Sequence, residues 1–269
     1  MTKRLLPVLM TASVDTRGMK DAAFSPQERE AMYGETLSLY LRTICEETGA
    51  KIVFAENSGW DLTALRARVP PMLVSQVEFL SLDPADFDIA RGKGFNEARL
   101  LAEAASRSSF VREAGGFFKV TGRYPIYNLA RFVQAASKAI FEDDRAWYCD
   151  IKDHPLYDML RLGWHGHYFD ARLFGVSSDY YLKEIYPRTV TCNDYEGRSL
   201  ELALFDAVKA AKAGEVVDRF RFEPHIGGVA GVPRENLSWP WNQGYDSPLE
   251  RVKRFVGNLN RLFFPWFKF

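Results

Sequence analysis

Cysteine is scarce: three residues in 269, namely Cys45, Cys149 and Cys192, odd in number and far apart. That spacing excludes a disulfide framework and a paired-cysteine zinc site, and it points to a reducing compartment. Net charge is missing as well. Lys plus Arg and Asp plus Glu each number 35, so no global field draws the chain to nucleic acid. Contact with a polyanion must come from a local cluster. No apolar run is long enough to span a bilayer. The opening MTKRLLPVLMTASVDTRG is interrupted by Pro7 and followed at once by charge, so it reads as a first strand rather than a signal peptide. Internal repeats, linker-like stretches and a Gly-x-Ser-x-Gly elbow are all lacking, and no cysteine has a recognisable histidine context, which leaves hydrolase chemistry with little support. A soluble cytoplasmic chain forming one domain over 1–269 is expected.

What is present is an alternation of strand and helix signals. Leu5–Val14 reads as a buried strand. Ser25-Pro26 opens a helix that runs to about Thr48, with serine as N-cap and proline at the first helical position. Lys51–Ala55 and Val77–Leu82 read as strands, Asp61–Val69 as a short helix, Phe95 to about Ala105 as a helix and Phe117–Thr121 as a strand. The second half is mixed, with strands near Ala146–Ile151, Leu173–Val176 and Val216–Phe222 and a helix around Ser199–Ala213. The pattern predicts an α/β fold with a mostly parallel central sheet covered by helices on both faces.

In such a sheet ligands bind beyond the carboxyl ends of the strands. Those ends are Val14-Asp15-Thr16-Arg17, Ala55-Glu56-Asn57-Ser58, Arg91-Gly92-Lys93-Gly94 and Thr121-Gly122-Arg123-Tyr124, all polar, charged or glycine-rich. Arg91-Gly92-Lys93-Gly94 joins two cations to two glycines ahead of a helix, whose free N–H groups favour phosphate. It is neither a P-loop nor a dinucleotide fingerprint, and a solvated turn satisfies the same pattern. Metal ligands are sparse. His165-Gly166-His167 is half a zinc site with no recognisable second half, and Asp150, Asp153, Asp143-Asp144 and Asp170 are the carboxylates open to Mg²⁺.

The order strand, helix, Glu56-Asn57-Ser58, strand, Arg91-Gly92-Lys93-Gly94, helix, strand resembles the nucleotide-binding half of GT-A glycosyltransferases. Phe117-Phe118-Lys119-Val120-Thr121-Gly122-Arg123-Tyr124 resembles a Lys-x-Thr-Gly-Arg-Tyr stretch of bacterial transferases of cell-surface polysaccharide assembly. The resemblance covers roughly Leu5 to Ala213. It implies a GT-A-like fold and transfer of a sugar from a nucleotide-sugar donor to a glycan or lipid-linked glycan acceptor. About 1–135 would form the nucleotide-binding half, and about 136–269 the acceptor half and tail.

This chain departs from the family by having no Asp-x-Asp at the strand end, where the donor's divalent cation is usually anchored. The resemblance then implies a cation-independent enzyme more readily than one holding Mg or Mn, with no other cofactor. Asp15, Arg17, Glu56 and Asn57 would line the nucleotide pocket, and Arg91, Lys93, Lys119 and Arg123 would hold the phosphates. Glu201, in the first turn of a helix, would be the general base, with Asp194 and Asp170 in reserve. A nucleotidyltransferase that makes a sugar-nucleotide and a non-catalytic nucleotide- or sugar-binding module remain open at this point.

Two further segments are of interest. His225-Ile226-Gly227-Gly228 and Trp239-Pro240-Trp241-Asn242 suit acceptor loops in which indoles stack on sugar faces. The end of the chain mixes basic and aromatic residues, Arg251-Val252-Lys253-Arg254-Phe255 and then Asn260 to Phe269. That composition suits the interface of a membrane, with packing onto the core or a dimer contact as the alternatives.

Overall fold

The apolar runs become strands, and the computed structural model describes them within residues 4–19, 22–153, 159, 167–228, 247–264 and 268. Strands β1 (Val8–Ala12) and β2 (Ile52–Glu56) are buried at every position, as strands covered on both faces must be. β3 (Val77–Ser81) is the half-exposed edge, and β4 (Gly116–Thr121) is buried up to its last residue. β1 pairs in parallel with β2 and with β4, and β2 pairs in parallel with β3. β5 (Trp147–Tyr148), β8 (Leu173–Ser177) and β9 (Val216–Val217) complete a seven-stranded sheet in the order β3-β2-β1-β4-β8-β5-β9. β8 is antiparallel to both of its neighbours. The expected α/β class with a mostly parallel sheet and a mixed second half is the class observed.

Helices cover both faces. Helix α1 (Pro26–Tyr40) starts at a capping box, in which Ser25 accepts from the Glu28 N–H and Glu28 accepts from the Ser25 N–H. It continues as a π-helical turn, Leu41–Glu46. The short helix α2 is Thr63–Arg66. α3 (Gly92–Arg107) and α4 (Ser109–Ala114) precede β4, and α5 (Leu129–Phe141) follows it. On one face, α1 and α5 pack their apolar residues against Val8, Met10, Phe54, Phe118 and Val120. On the other, α3 and α6 (Leu200–Ala210) pack against Leu9, Val53, Phe117 and Phe174. The period of two along each strand therefore sorts its side chains between two cores.

Three boundaries differ from the sequence expectation. Helix α3 begins at Gly92, so Gly92-Lys93-Gly94 forms its first turn rather than a loop ahead of it. The strand expected over 146–151 is split. Ile151–Asp153 forms β6, which pairs with β7 (His167–Phe169) in a separate two-stranded sheet. Asp150 causes the break, because its carboxylate turns toward the Phe220 N–H at 2.8 Å and toward Arg261. The same contact draws the chain away from β9 after Val217, shortening the strand expected to reach Phe222.

Helix α7 (Pro248–Phe263) is attached through polar contacts. Arg261 grips Asp150 with two bonds of 2.7 Å, reaches Glu223 Oε1 at 2.6 Å and donates to the Phe220 carbonyl at 2.7 Å. These partners, Asp150 first, hold its pKa above the ordinary arginine value although burial opposes them. Arg219 donates to Asn260, and Asn258 accepts from the Glu223 N–H. Removing one partner of a buried ion pair leaves the other charge uncompensated. Arg261→Ala is expected to cost about 3–5 kcal/mol and to lower the melting temperature by roughly 6–20 °C, measured by scanning calorimetry.

Candidate functional site

The carboxyl ends of β1, β2 and β4 meet around a single buried carboxylate. Glu56 is fully buried and accepts five hydrogen bonds. Its Oε1 takes the Val14 N–H at 3.0 Å, the Ser58 N–H at 2.9 Å and the Ser58 hydroxyl, and its Oε2 takes the Gly59 N–H at 2.9 Å and the Trp60 N–H at 3.2 Å. Two loops are thereby tied together. Asn57 adds to the knot by accepting from the Ser13 hydroxyl at 2.6 Å and donating to the Asn96 carbonyl at 3.3 Å. The Asp15 N–H donates to the Ser58 hydroxyl oxygen at 2.9 Å, and the Asp15 carboxylate accepts the Arg17 N–H at 2.7 Å. Arg17 itself, at φ 51°, donates to the carbonyls of Pro84 and Ser58, each at 2.8 Å. Of the four residues expected to line a nucleotide pocket, Glu56 and Asn57 are thus buried and Asp15 stays half-buried. Arg17 is exposed.

On the α1 face of this junction stand two arginines. Arg29 is 4% exposed, with Nε donating to the Ser13 carbonyl at 2.8 Å and Nη2 to the Tyr33 hydroxyl at 3.3 Å. Its Nη1 is buried without a hydrogen-bond partner, and so are Nε and Nη1 of Arg123. Burial lowers the pKa of Arg29; Tyr33 opposes that, and the Arg123 cation adds to it. Among the described residues neither arginine forms an ion pair. Tyr33 and Tyr124 flank Arg123, and its guanidinium lies 5.0 Å from the centre of the Tyr124 ring. Gly122 makes room for the turn, since a Cβ there would stand 2.9 Å from the Thr11 carbonyl oxygen and 3.1 Å from the Tyr33 ring. Buried donors left unpaired cost free energy, so this pair of cations is a ready place for an anion.

On the α3 face the groups are acidic and partnered. Lys119 is fully buried, and its ammonium donates to Glu97 Oε1 at 2.8 Å, to Thr121 Oγ1 at 2.8 Å and to the Ala171 carbonyl. All three of its donors are in use. Glu97 also accepts from the Thr11 hydroxyl at 2.6 Å. Glu201 is half-buried in the first turn of α6. Burial raises its pKa, and the nearby Glu97 and Asp194 carboxylates raise it further against the Glu201 N–H and Ser199. Asp194 accepts the Gly94 N–H at 2.9 Å and closes the N-terminus of α3, where a carboxylate is stabilised by the helix dipole. A Cβ on Gly92 or Gly94 would come within 2.6 or 2.8 Å of Asp194, so these glycines admit a side chain of their own chain.

Of the remaining expected residues, Arg91 and Lys93 sit at the start of α3, and Asp170 stands near Lys119 beside the end of β4. Arg91 donates to the carbonyls of Val190 and Cys192 and stacks 3.6 Å from the centre of the Phe95 ring. Lys93 is half-buried in the first turn of α3. Asp170 is bound by Arg172 at 2.7 and 2.8 Å. Burial favours its neutral form, but Arg172 outweighs burial and holds the carboxyl below its usual range. Asp153 pairs with His167 at 3.1 Å and with Lys209 at 2.8 Å. His225 packs against Tyr127, whereas His165, Gly166 and Trp239-Pro240-Trp241-Asn242 lie outside the described residues.

The structure adds Arg29, Tyr33 and Glu97, which sequence reasoning did not select. Their signal was present as polar residues on apolar helix faces: Arg29 and Tyr33 in line with Leu37, and Glu97 in line with Leu101.

No protein-family model and no curated relative matches the sequence. Among solved structures, the mannosyltransferase Ktr4p from S. cerevisiae matches with a TM-score of 0.50 at 10% identity, over 97% of this chain and 81% of its own. Core-mannan synthase A from Aspergillus fumigatus, in its Mn/GDP form, matches with a TM-score of 0.50 at 11% identity, over 97% of this chain and 85% of its own. The fold is GT-A-like. At such identities the likeness concerns the fold alone, and the chemistry must be argued from this chain's own side chains.

Glu56 is tested first, because burial and nucleotide contact make opposite demands on it. An amide at this position turns one acceptor into a donor facing N–H groups, and a hydrogen bond to a charged group contributes about 1.5–3 kcal/mol. Glu56→Gln is expected to lower unfolding stability by at least that amount in urea. A variant of unchanged stability that no longer binds nucleotide would instead put Glu56 in contact with the ligand.

Proposed function

We propose that the protein is a nucleotide-sugar-dependent glycosyltransferase that works without a bound metal. Its acceptor is a glycan or lipid-linked glycan at the cytoplasmic face of a membrane, as in bacterial cell-surface polysaccharide assembly. The chain acts as one catalytic unit, with about 1–135 holding the donor and about 136–269 the acceptor. The observation that carries this reading is the pair Arg29 and Arg123, whose unpartnered buried nitrogens stand at the end of β1 and β4.

When the bond between the anomeric carbon and the donor diphosphate breaks, negative charge gathers on the leaving phosphate oxygens. Donors fixed in a low-dielectric site stabilise that charge without reorganising. Arginine suits the task because its planar fork matches two phosphate oxygens at once. In enzymes of this fold that use a cation, an Asp-x-Asp follows the equivalent strand. Here Gly122-Arg123-Tyr124 follows β4, offering a cation where a carboxylate would be needed. Among the described residues no cluster of carboxylates, histidines or cysteines stands ready to hold Mg or Mn. Lys119 does not reach the phosphates in this reading but holds Glu97 in place. The Ser13–Arg17 loop, shaped by Glu56, lines the nucleoside side.

In a transfer with inversion, the acceptor hydroxyl oxygen attacks the anomeric carbon as its proton passes to a carboxylate. Glu201 is the candidate base. Its raised pKa makes it a better proton acceptor than an ordinary glutamate at the pH where it is ionised. Asp194 and Asp170 are less suited, being engaged by Gly94 and Arg172.

A thermal-shift series with UDP, GDP, CMP and dTDP tests the donor site. One of the four should stabilise the protein, by about 2.7 kcal/mol at a hundredfold excess over its Kd, and EDTA should leave the shift intact. Arg123→Ala should weaken that nucleotide by about 1.5–3 kcal/mol while the protein stays folded. No shift with any nucleotide contradicts the transferase reading, and a shift abolished by EDTA contradicts its metal-free form.

The base has its own signature in pH. A carboxylate must be deprotonated to accept a proton, so turnover should fall as pH drops through the Glu201 pKa. Because that pKa is raised, the acid limb should lie above the ordinary value of 4.5. Glu201→Gln should abolish transfer while leaving nucleotide affinity close to that of the wild type. Undiminished transfer in that variant would move the base elsewhere.

A further inference from the structure

Helix α7 is docked with its faces inverted relative to an ordinary surface helix. Its sole buried residue is Arg261, and its contacts with the body run through Gly257, Asn258, Asn260 and Arg261. Gly257 lets the helix approach closely, since a Cβ there would meet Glu223 Oε1 at 2.5 Å. The apolar residues Val252, Phe255, Val256, Leu259, Leu262 and Phe263 are between 40% and 70% exposed. At about 100° per residue these six fall within an arc of roughly 120°. The arc is continuous and faces solvent. Phe264, the C-cap residue, is also exposed.

We propose that this face of α7 seats on a membrane surface rich in anionic lipid, with the helix lying in the plane of the interface. The attachment is built for that orientation: a buried ion pair holds the polar side against the body, which leaves no way for the apolar side to turn inward. Charge favours lipid over other partners. Outside the buried Arg261, the helix carries Arg251, Lys253 and Arg254 against the single acid Glu250, with which Lys253 pairs at 2.6 Å. On the helical wheel, Arg251 borders one edge of the apolar arc and Lys253 lies about 60° beyond the other, positions from which long basic side chains can extend to headgroup phosphates as the apolar residues enter the acyl boundary. A second copy packed face to face would bring like-charged edges together. The helix is too short to cross: 16 residues span about 24 Å, less than a hydrocarbon core, and no described helix is long and apolar enough to do so. The inference rests on α7 alone and does not depend on the transferase reading.

The test uses the full chain with vesicles of phosphatidylcholine, either pure or containing phosphatidylserine. Sedimentation with the anionic vesicles at low salt is expected, with binding weaker by about tenfold or more on neutral vesicles and reduced at high salt. Phe255→Ser with Leu262→Ser should lose about tenfold or more in binding, and so should Arg251→Ala with Lys253→Ala. These side chains lie on the exposed face or flank it, so melting curves should match the wild type and exclude unfolding as the cause. Three outcomes overturn the proposal: no sedimentation with anionic vesicles at low salt, binding that survives Phe255→Ser with Leu262→Ser, or a dimer in the ultracentrifuge that this double variant converts to monomer without any vesicle binding.

Discussion

The strand-end region depends on the buried carboxylate of Glu56. Parallel strands end with N–H groups pointing into the loops that follow, and such groups must be satisfied without solvent when the loops pack closely. Glu56 satisfies those of Val14, Ser58, Gly59 and Trp60 from one side chain. That fixes the loop after β1 relative to the loop after β2. The carbonyl of Ser13 is then correctly placed to receive Arg29, and the Ser13 N–H to receive the Tyr33 hydroxyl. One buried carboxylate thus sets the position of Ser13 and, through it, of Arg29 and Tyr33.

The sheet also separates opposite charges. Alternation along β1 and β4 sends Thr11, Lys119 and Thr121 to the α3 side, while α1 brings Arg29 and Tyr33 to the other. Cations without partners gather on one side of the Gly122 turn, and on the other Glu97, Asp194 and Glu201 stand close enough to raise the pKa of Glu201. A reaction that expels an anion and removes a proton needs both environments, held apart so that they do not neutralise each other. On the carboxylate side Lys119 is saturated by Glu97, Thr121 and Ala171.

Much of the fold was legible because its signals are local. Ser25-Pro26 announces a helix start, and apolar runs announce the buried strands. Arg123 was readable as a strand-end cation because it follows β4 and a glycine. What escaped were relations between distant segments. Arg29 and Glu97 look like ordinary helical charges until their helices are laid over the strand ends. Arg91 and the glycines beside it resemble a phosphate turn, yet Asp194, one hundred residues from Gly94, closes the helix end. The aromatic tail was visible as composition, but which way it faces is decided by Arg261 reaching Asp150 across 111 residues. Composition alone carries no orientation.

The pairing of Arg29 with Arg123 also bears on the protein in the absence of any substrate. Two guanidinium groups enclosed together repel: burial and the Arg123 cation lower the pKa of Arg29, while Tyr33 and Tyr124 favour the charged form of Arg123, so their closeness costs the native state some stability. Any small oxyanion that enters relieves it and favours the folded form over the unfolded one by mass action. The choice of buffer thereby becomes a variable of the molecule. If the pair takes up anions, phosphate or sulfate would stabilise the protein and compete there with a nucleotide, and an amine buffer would not.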